Sequence, residues 1–182
     1  MTETADNSGV IEVRIHELAQ LFNSLDPSPF HERDLDDDAE DHIVGWAREL
    51  PPHVPLAIVV HLPDGEARKA IERNLPKALA HYFDDRAERQ RRDLNELFRI
   101  GRRYLLVGLS VLVVCLVASQ MLRTRLGDGP LARAAEESLI IVGWVANWKP
   151  IETFLYDWWP LKRRLDLYRR LARAQVTIVA SS

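Results

Sequence analysis

The stretch Tyr104–Leu122, YLLVGLSVLVVCLVASQML, carries no charge, and no other feature constrains the chain so strongly. A helix rising ~1.5 Å per residue needs about this length to cross roughly 30 Å of hydrocarbon. A surface helix of a water-soluble protein would show a polar stripe, whereas the polar members here are only Ser110, Cys115, Ser119 and Gln120. The run reads as a transmembrane helix, stopped by Arg102 and Arg103 on one side and by Arg123 and Arg125 on the other.

The distribution of basic residues then sets orientation. Over 182 residues the formal charge is only −3, but it is segregated. Acidic residues crowd Glu32 to Asp41, and arginines crowd Arg86 to Arg103 and the stretch from Lys162 onward. Both arginine-rich stretches fall on one side of the bilayer if the chain crosses twice, and the positive-inside rule makes that side cytoplasmic. Gly127, Asp128, Gly129 and Pro130 then form the turn of a short outer loop.

The second crossing is less regular. Leu139 to Trp148 is apolar but too short to span alone, and extending it takes in Lys149, Pro150, Glu152 and Asp157. If a helix runs over 138–157, Lys149 and Glu152 lie three apart and can pair on one face. That face should avoid lipid, where an unpaired charge costs ~2.5–3.5 kcal/mol. Alternatively the helix breaks at Pro150 and continues along the interface, or the segment is re-entrant. In each case Trp148, Tyr156, Trp158 and Trp159 mark the cytoplasmic interface. Gly108, Cys115 and Ser119 form one small-residue stripe and Gly143 and Asn147 another, suited to close helix packing.

Outside the membrane, VIEVRI (10–15) alternates like a half-buried strand, and PLAIVVHL (55–62) reads as a strand covered on both faces. The helix between them is capped by Asp34 or Asp36, carries Asp37, Asp38 and Glu40 in its first turn, and ends at Pro51 and Pro52. This order predicts a parallel βαβ unit. Asn74 and Pro76 restart a helix that runs unbroken to Leu122, with Gly101 its weak point. Asp85 with Arg89 is a favourable i,i+4 pair on it. QVTIVA (175–180) is a candidate third strand that would tie the two ends of the chain together.

The expected fold is therefore an α+β membrane protein. Residues 1–9 are a disordered lead-in, 10–100 a small cytoplasmic βαβ-type domain with a long juxtamembrane helix, and 101–159 a transmembrane hairpin (104–122 and 138–157). Residues 160–182 form a basic amphipathic helix and terminal strand. The opening MTETADNSG has neither the basic nor the apolar region of a signal peptide.

Little in the sequence carries chemistry. Asp34, Asp36 and Asp38 begin like a calcium loop, but Ala39 and Gly45 replace the glycine and glutamate that such a loop needs. The acids read instead as a helix first turn, or as a docking surface (Asp34, Asp36, Asp37, Asp38) for a basic partner. The six histidines show no zinc spacing, Cys115 is alone, and no phosphate loop or nucleophile motif is present, so no metal, cofactor or catalytic residue is expected. The tail helix has Leu161, Leu165, Tyr168 and Leu171 on one face. Lys162, Arg163, Arg164, Arg169 and Arg170 are candidates for anionic lipid head groups. Nucleic acid is disfavoured, since no aromatics interleave the basic residues.

FNSLDPSPFHERDLD (22–36) and FLYDWWP (154–160) resemble an uncharacterised family of small bacterial inner-membrane proteins with two transmembrane segments. The resemblance covers nearly the whole chain and implies that topology, but it brings no catalytic residues. The expectation is a non-enzymatic, multi-pass inner-membrane adaptor, subunit or assembly factor with both termini cytoplasmic, contacting lipid and a protein partner or further copies of itself. The rival is a small channel or transport component with Lys149, Glu152 and Asp157 in a polar path; an enzyme at the membrane face has least support.

Overall fold

The computed structural model describes residues 9–127 and 129–181. Most of the expected lead-in, Asp128 of the expected turn, and Ser182 lie outside the described residues. The chain divides into two compact units: residues up to Gln90 together with those from Arg163 onward, and Arg91–Lys162.

The first unit is built on a parallel sheet of β1 (Val10–Arg14), β2 (Ala57–Leu62) and β3 (Gln175–Ala180), in the order β1-β2-β3. Register explains its core. Ile11 stands beside Ile58 and Val176, and Val13 beside Val60 and Ile178, so one face carries an apolar grid. Helices α1 (Asp37–Glu49) and α2 (Asp64–Glu72) bury Ile43, Val44, Ala47, Ala67 and Ala70 in the same cluster. The first part of the long helix α3 (Leu75–Leu126) adds Leu75, Leu79 and Phe83, and the helix α6 (Trp158–Ala172) adds Leu167 and Leu171.

The other face is different. Glu12, Arg14, Thr177 and Val179 are exposed there, and Ala57, Val59 and His61 are half-buried. The expectation that 55–62 is covered on both faces is corrected: β2 alternates between buried and half-buried residues. A parallel sheet normally has helices on both faces. Among the described residues, this one is fully packed on one.

Local chemistry sets the helix limits. The Asp36 side chain accepts a hydrogen bond from Asp38 N–H and caps α1, whose first turn holds Asp37, Asp38 and Glu40 where the helix dipole favours anions. Asn74 adopts φ 52°, the left-handed region that asparagine tolerates, and separates α2 from α3.

In the second unit, α3 continues without interruption through Gly101, which is no weak point. A Cβ there would lie 3.0 Å from Thr153 Cγ2, so glycine permits close approach. Gly127 closes the helix at φ 71°, and Gly129 caps α4 (Pro130–Val145), with Pro130 in its first turn. Among the described residues α3 alone is long and apolar enough to cross a membrane, and only 17% of its most apolar window is buried. A second spanning helix over 138–157 is not what forms. Helix α4 ends at Val145, a short helix α5 (Trp148–Glu152) follows, and Thr153–Asp157 form a π-turn that leads into α6.

Pro150 supplies the reason for the break. It has no N–H to give the Ala146 carbonyl one turn back. That oxygen turns toward Gly108 on α3, where a Cβ would sit 2.8 Å from it. The Asn147 side-chain amide donates to Gly108 O at 3.0 Å and to Gly143 O at 2.9 Å, joining the two helices. Gly143 in turn packs against Leu112 and Cys115.

Candidate functional site

Four places gather polar side chains, three of them around residues singled out above. The first is the polar turn after Pro150. Lys149 Nζ donates to Glu152 Oε2 at 3.2 Å and to Asp157 Oδ2 at 3.3 Å. Thr153 Oγ1 donates to the same Asp157 oxygen, and Trp158 Nε1 donates to Phe154 O. A π-turn shifts the helix by one residue, which sets Asp157 within reach of Lys149. The Lys149 side chain stays 59% exposed and Glu152 43%, so helix α3 of the same chain does not cover the pair. Trp148, Tyr156 and Trp159 are exposed beside it, with Trp158 half-buried.

The second is the loop within FNSLDPSPFHERDLD, closed at its base by an antiparallel bridge between Phe22 and Leu35. Asp26 organises it, accepting from Ser28 N–H at 2.9 Å and Asp34 N–H at 2.7 Å. The Ser28 bond is a local turn, whereas the Asp34 bond crosses the loop and is not legible from spacing. The Ser28 side-chain hydrogen bond, then the Asp34 N–H, hold the Asp26 carboxyl at about 2. Since an unfolded aspartate titrates near ~3.9, the sign is fixed. The loop's stabilisation is present above that value and is lost as pH falls through about 2. We expect the Asp34 amide resonance to titrate with that low midpoint, and Asp26→Asn to abolish the titration. A midpoint at the ordinary aspartate value would refute the assignment.

The candidate docking acids are divided. Asp36 is spent as the cap of α1, and Asp34 lies 3.7 Å from Arg89 Nη2. The helical pair expected for Arg89 was with Asp85, which also lies 3.7 Å from His81 Nε2. Asp36 and Asp38 line an open groove of about 570 Å³ along β1 with Glu12, Arg14, Gln20 and His42. Among the described residues no group of three ligand-type side chains could hold a metal ion.

The third is a node that sequence reasoning missed. Glu40 of α1 accepts from Tyr82 and Arg86 of α3 at one oxygen, and from Tyr168 of α6 at the other at 3.0 Å. Arg86 Nε also donates to Tyr82 Oη at 2.9 Å. Burial first, then Glu40, raises both tyrosines above their ordinary range. No local signal marks a cluster whose members lie so far apart in sequence.

The fourth is α6. The helix expected to be basic and amphipathic turns apolar residues to the protein's own core, with Leu167 and Leu171 buried there and Tyr168 and Ala172 packed against it. Arg170 donates to the carbonyls of Pro51 at 2.8 Å and Val54 at 2.9 Å, and Arg169 lies 3.9 Å from Asp166. Lys162, Arg163 and Arg164 are exposed.

No protein-family model matches the chain, no curated protein matches it, and no solved structure matches it.

Proposed function

We propose that this chain is a non-enzymatic adaptor or subunit that anchors a small α/β unit to the bacterial inner membrane and docks a protein partner there. The half-covered parallel sheet carries the reading. Its outer face presents Glu12, Arg14, Val59, His61 and Thr177 side by side, and sheets of this kind are normally sandwiched between layers. A partner that supplies the missing layer completes the unit. Helix α3 is the anchor, and the paired α4 to α6 segment returns the chain to the cytoplasmic side, with its aromatics at the interface and Lys162, Arg163 and Arg164 at anionic head groups. The resemblance to two-segment inner-membrane proteins fits the same arrangement.

A photo-crosslinking residue at Thr177 should capture one polypeptide in stoichiometric amount from detergent extracts, and the same residue at exposed Glu72 should not. Val59→Arg should abolish the capture. Recovery of a homo-oligomer alone would count against the adaptor. Topology is read separately: Gly129→Cys should label from outside intact cells, and Ser181→Cys should not.

A second reading rests on the exposed Lys149, Glu152 and Asp157 cluster, which would line a polar path between copies of a small channel or transport component. If Lys149→Leu with Glu152→Leu still assembles and complements a deletion, that reading fails.

A further inference from the structure

The first turns of the helices in the first unit differ in charge. Helix α1 begins with Asp37, Asp38 and Glu40, and α2 with Asp64 and Glu66, each placing anions at a positive dipole end. Helix α3, by far the longest, has no acid in its first turn and carries Lys77 there. The lysine opposes its own helix dipole. Its neighbours do not relieve it, because α6 ends beside it and contributes Arg169, with Arg173 just past its end.

These side chains, with His81 and a single acid, Asp84, line a groove of about 370 Å³. Its floor is Ala80 and Ala172, whose short side chains leave the space open. Among the described residues neither Lys77 nor Arg173 has a carboxylate within ion-pairing distance. The Arg169–Asp166 contact is long at 3.9 Å, and both partners are exposed. Three permanent cations and an imidazole thus line the groove with one carboxylate, while Asp85 lies 3.7 Å from His81 and Asp166 3.9 Å from Arg169 at its margin. Among the described residues Lys77 and Arg173 keep their charge unpaired beside them, so the groove carries an excess of cations over acids.

We propose that this groove is a binding site for a phosphate-bearing anion. One carboxylate ligand would be satisfied by a single guanidinium fork, whereas several cationic donors from two helices suit a multiply charged tetrahedral oxyanion. The arginines at the end of α6 and Lys77 supply donors, the start of α3 adds its dipole, and His81 gains a charge-assisted bond when protonated. The space beyond the phosphate accepts a substituent, so either a phospholipid head group or a soluble phosphate compound satisfies the chemistry.

The test uses the full chain in nanodiscs and reads the His81 imidazole by NMR. Inorganic pyrophosphate is titrated into zwitterionic discs, and separate discs contain phosphatidylglycerol. A bound phosphate should shift the His81 imidazole resonances in a saturable way. Lys77→Gln with Arg173→Gln should weaken the response about tenfold or more, the loss of one or two charge-assisted bonds. Arg68→Gln, on the exposed side of α2, should leave it unchanged. A response to pyrophosphate alone identifies a soluble ligand, and a response to phosphatidylglycerol alone identifies a head group. Sodium chloride at equal ionic strength must not reproduce it. The proposal is overturned if neither source gives a saturable shift, if chloride gives the same shift, or if the double variant responds as the parent does. Arg169→Gln provides an independent variant, should the double one misfold.

Discussion

Glu40→Ala is expected to destabilise the α/β unit by about 3 kcal/mol, the upper range for a single side chain in this protein. The Glu40 side chain is 12% exposed and that of Arg86 29%. Truncation leaves a half-buried guanidinium without its counter-ion and two phenol groups without their acceptor. Removing one partner of a buried pair costs ~3–5 kcal/mol, and the partial exposure of Arg86 puts this case at the lower end. Hydrogen exchange at the β2 amides of Ile58 and Val60 should report the loss. Replacing both Glu40 and Arg86 by methionine should recover much of it, since no charge is then stranded. A protection change below ~0.5 kcal/mol in Glu40→Ala would be an ordinary surface effect, and the node would not be a clasp.

The same node has an alkaline signature. Tyr82 and Tyr168 are raised by burial first and by Glu40 next. A phenol whose folded pKa lies above its unfolded value of ~10 contributes stability that is fully present below pH ~10. That contribution is lost as pH rises through the folded values. Glu40→Ala should therefore flatten the decline in stability above that pH as well as lower the plateau.

Gly108→Leu is expected to separate α4 from α3, with a loss of about 3 kcal/mol in detergent-titration unfolding. A side chain there meets the Ala146 carbonyl and Asn147 Oδ1, each 2.8 Å from the Cβ position. Neither can move freely, because Asn147 bridges Gly108 O and Gly143 O. Gly45 in α1 provides the contrast, with nothing within 4 Å of its Cβ position. Gly45→Ala should stabilise by roughly 0.5–1 kcal/mol through helix propensity alone. If Gly108→Leu unfolds like the parent, the helices are not held together at that contact.

Where local chemistry decides, the sequence was readable. Ile11, Val13, Ile58 and Val60 follow strand alternation, Asp36 caps α1, and Asn74 with Pro76 restarts a helix. The third strand was recognisable from its β-branched residues. The features that carry the functional readings depended on packing. Pro150 announces a break, but its position at Ala146 and Asn147 depends on a carbonyl finding Gly108 and an amide finding two acceptors. The apolar face of α6 has the pattern of a lipid-facing helix and of a core helix alike, and only the sheet beside it decides. Glu40 reads as one acid among several in a first turn, and nothing local marks Lys77. Each acquires meaning from residues on α6.

The third strand also imposes an order of synthesis. β2 is the middle strand, and its partner β3 is translated only after Arg91–Lys162. The unit that begins with β1 therefore stays one strand short while the apolar segment is being made. Until β3 arrives, the β2 edge, with Ile58 and Val60 behind it, is open to any extended segment nearby. Completion of the sheet thus reports that the intervening segment has been made and that the chain beyond it has reached the side of β2. A chain whose β3 failed to pair would display an unpaired strand edge, open to extended segments of other chains.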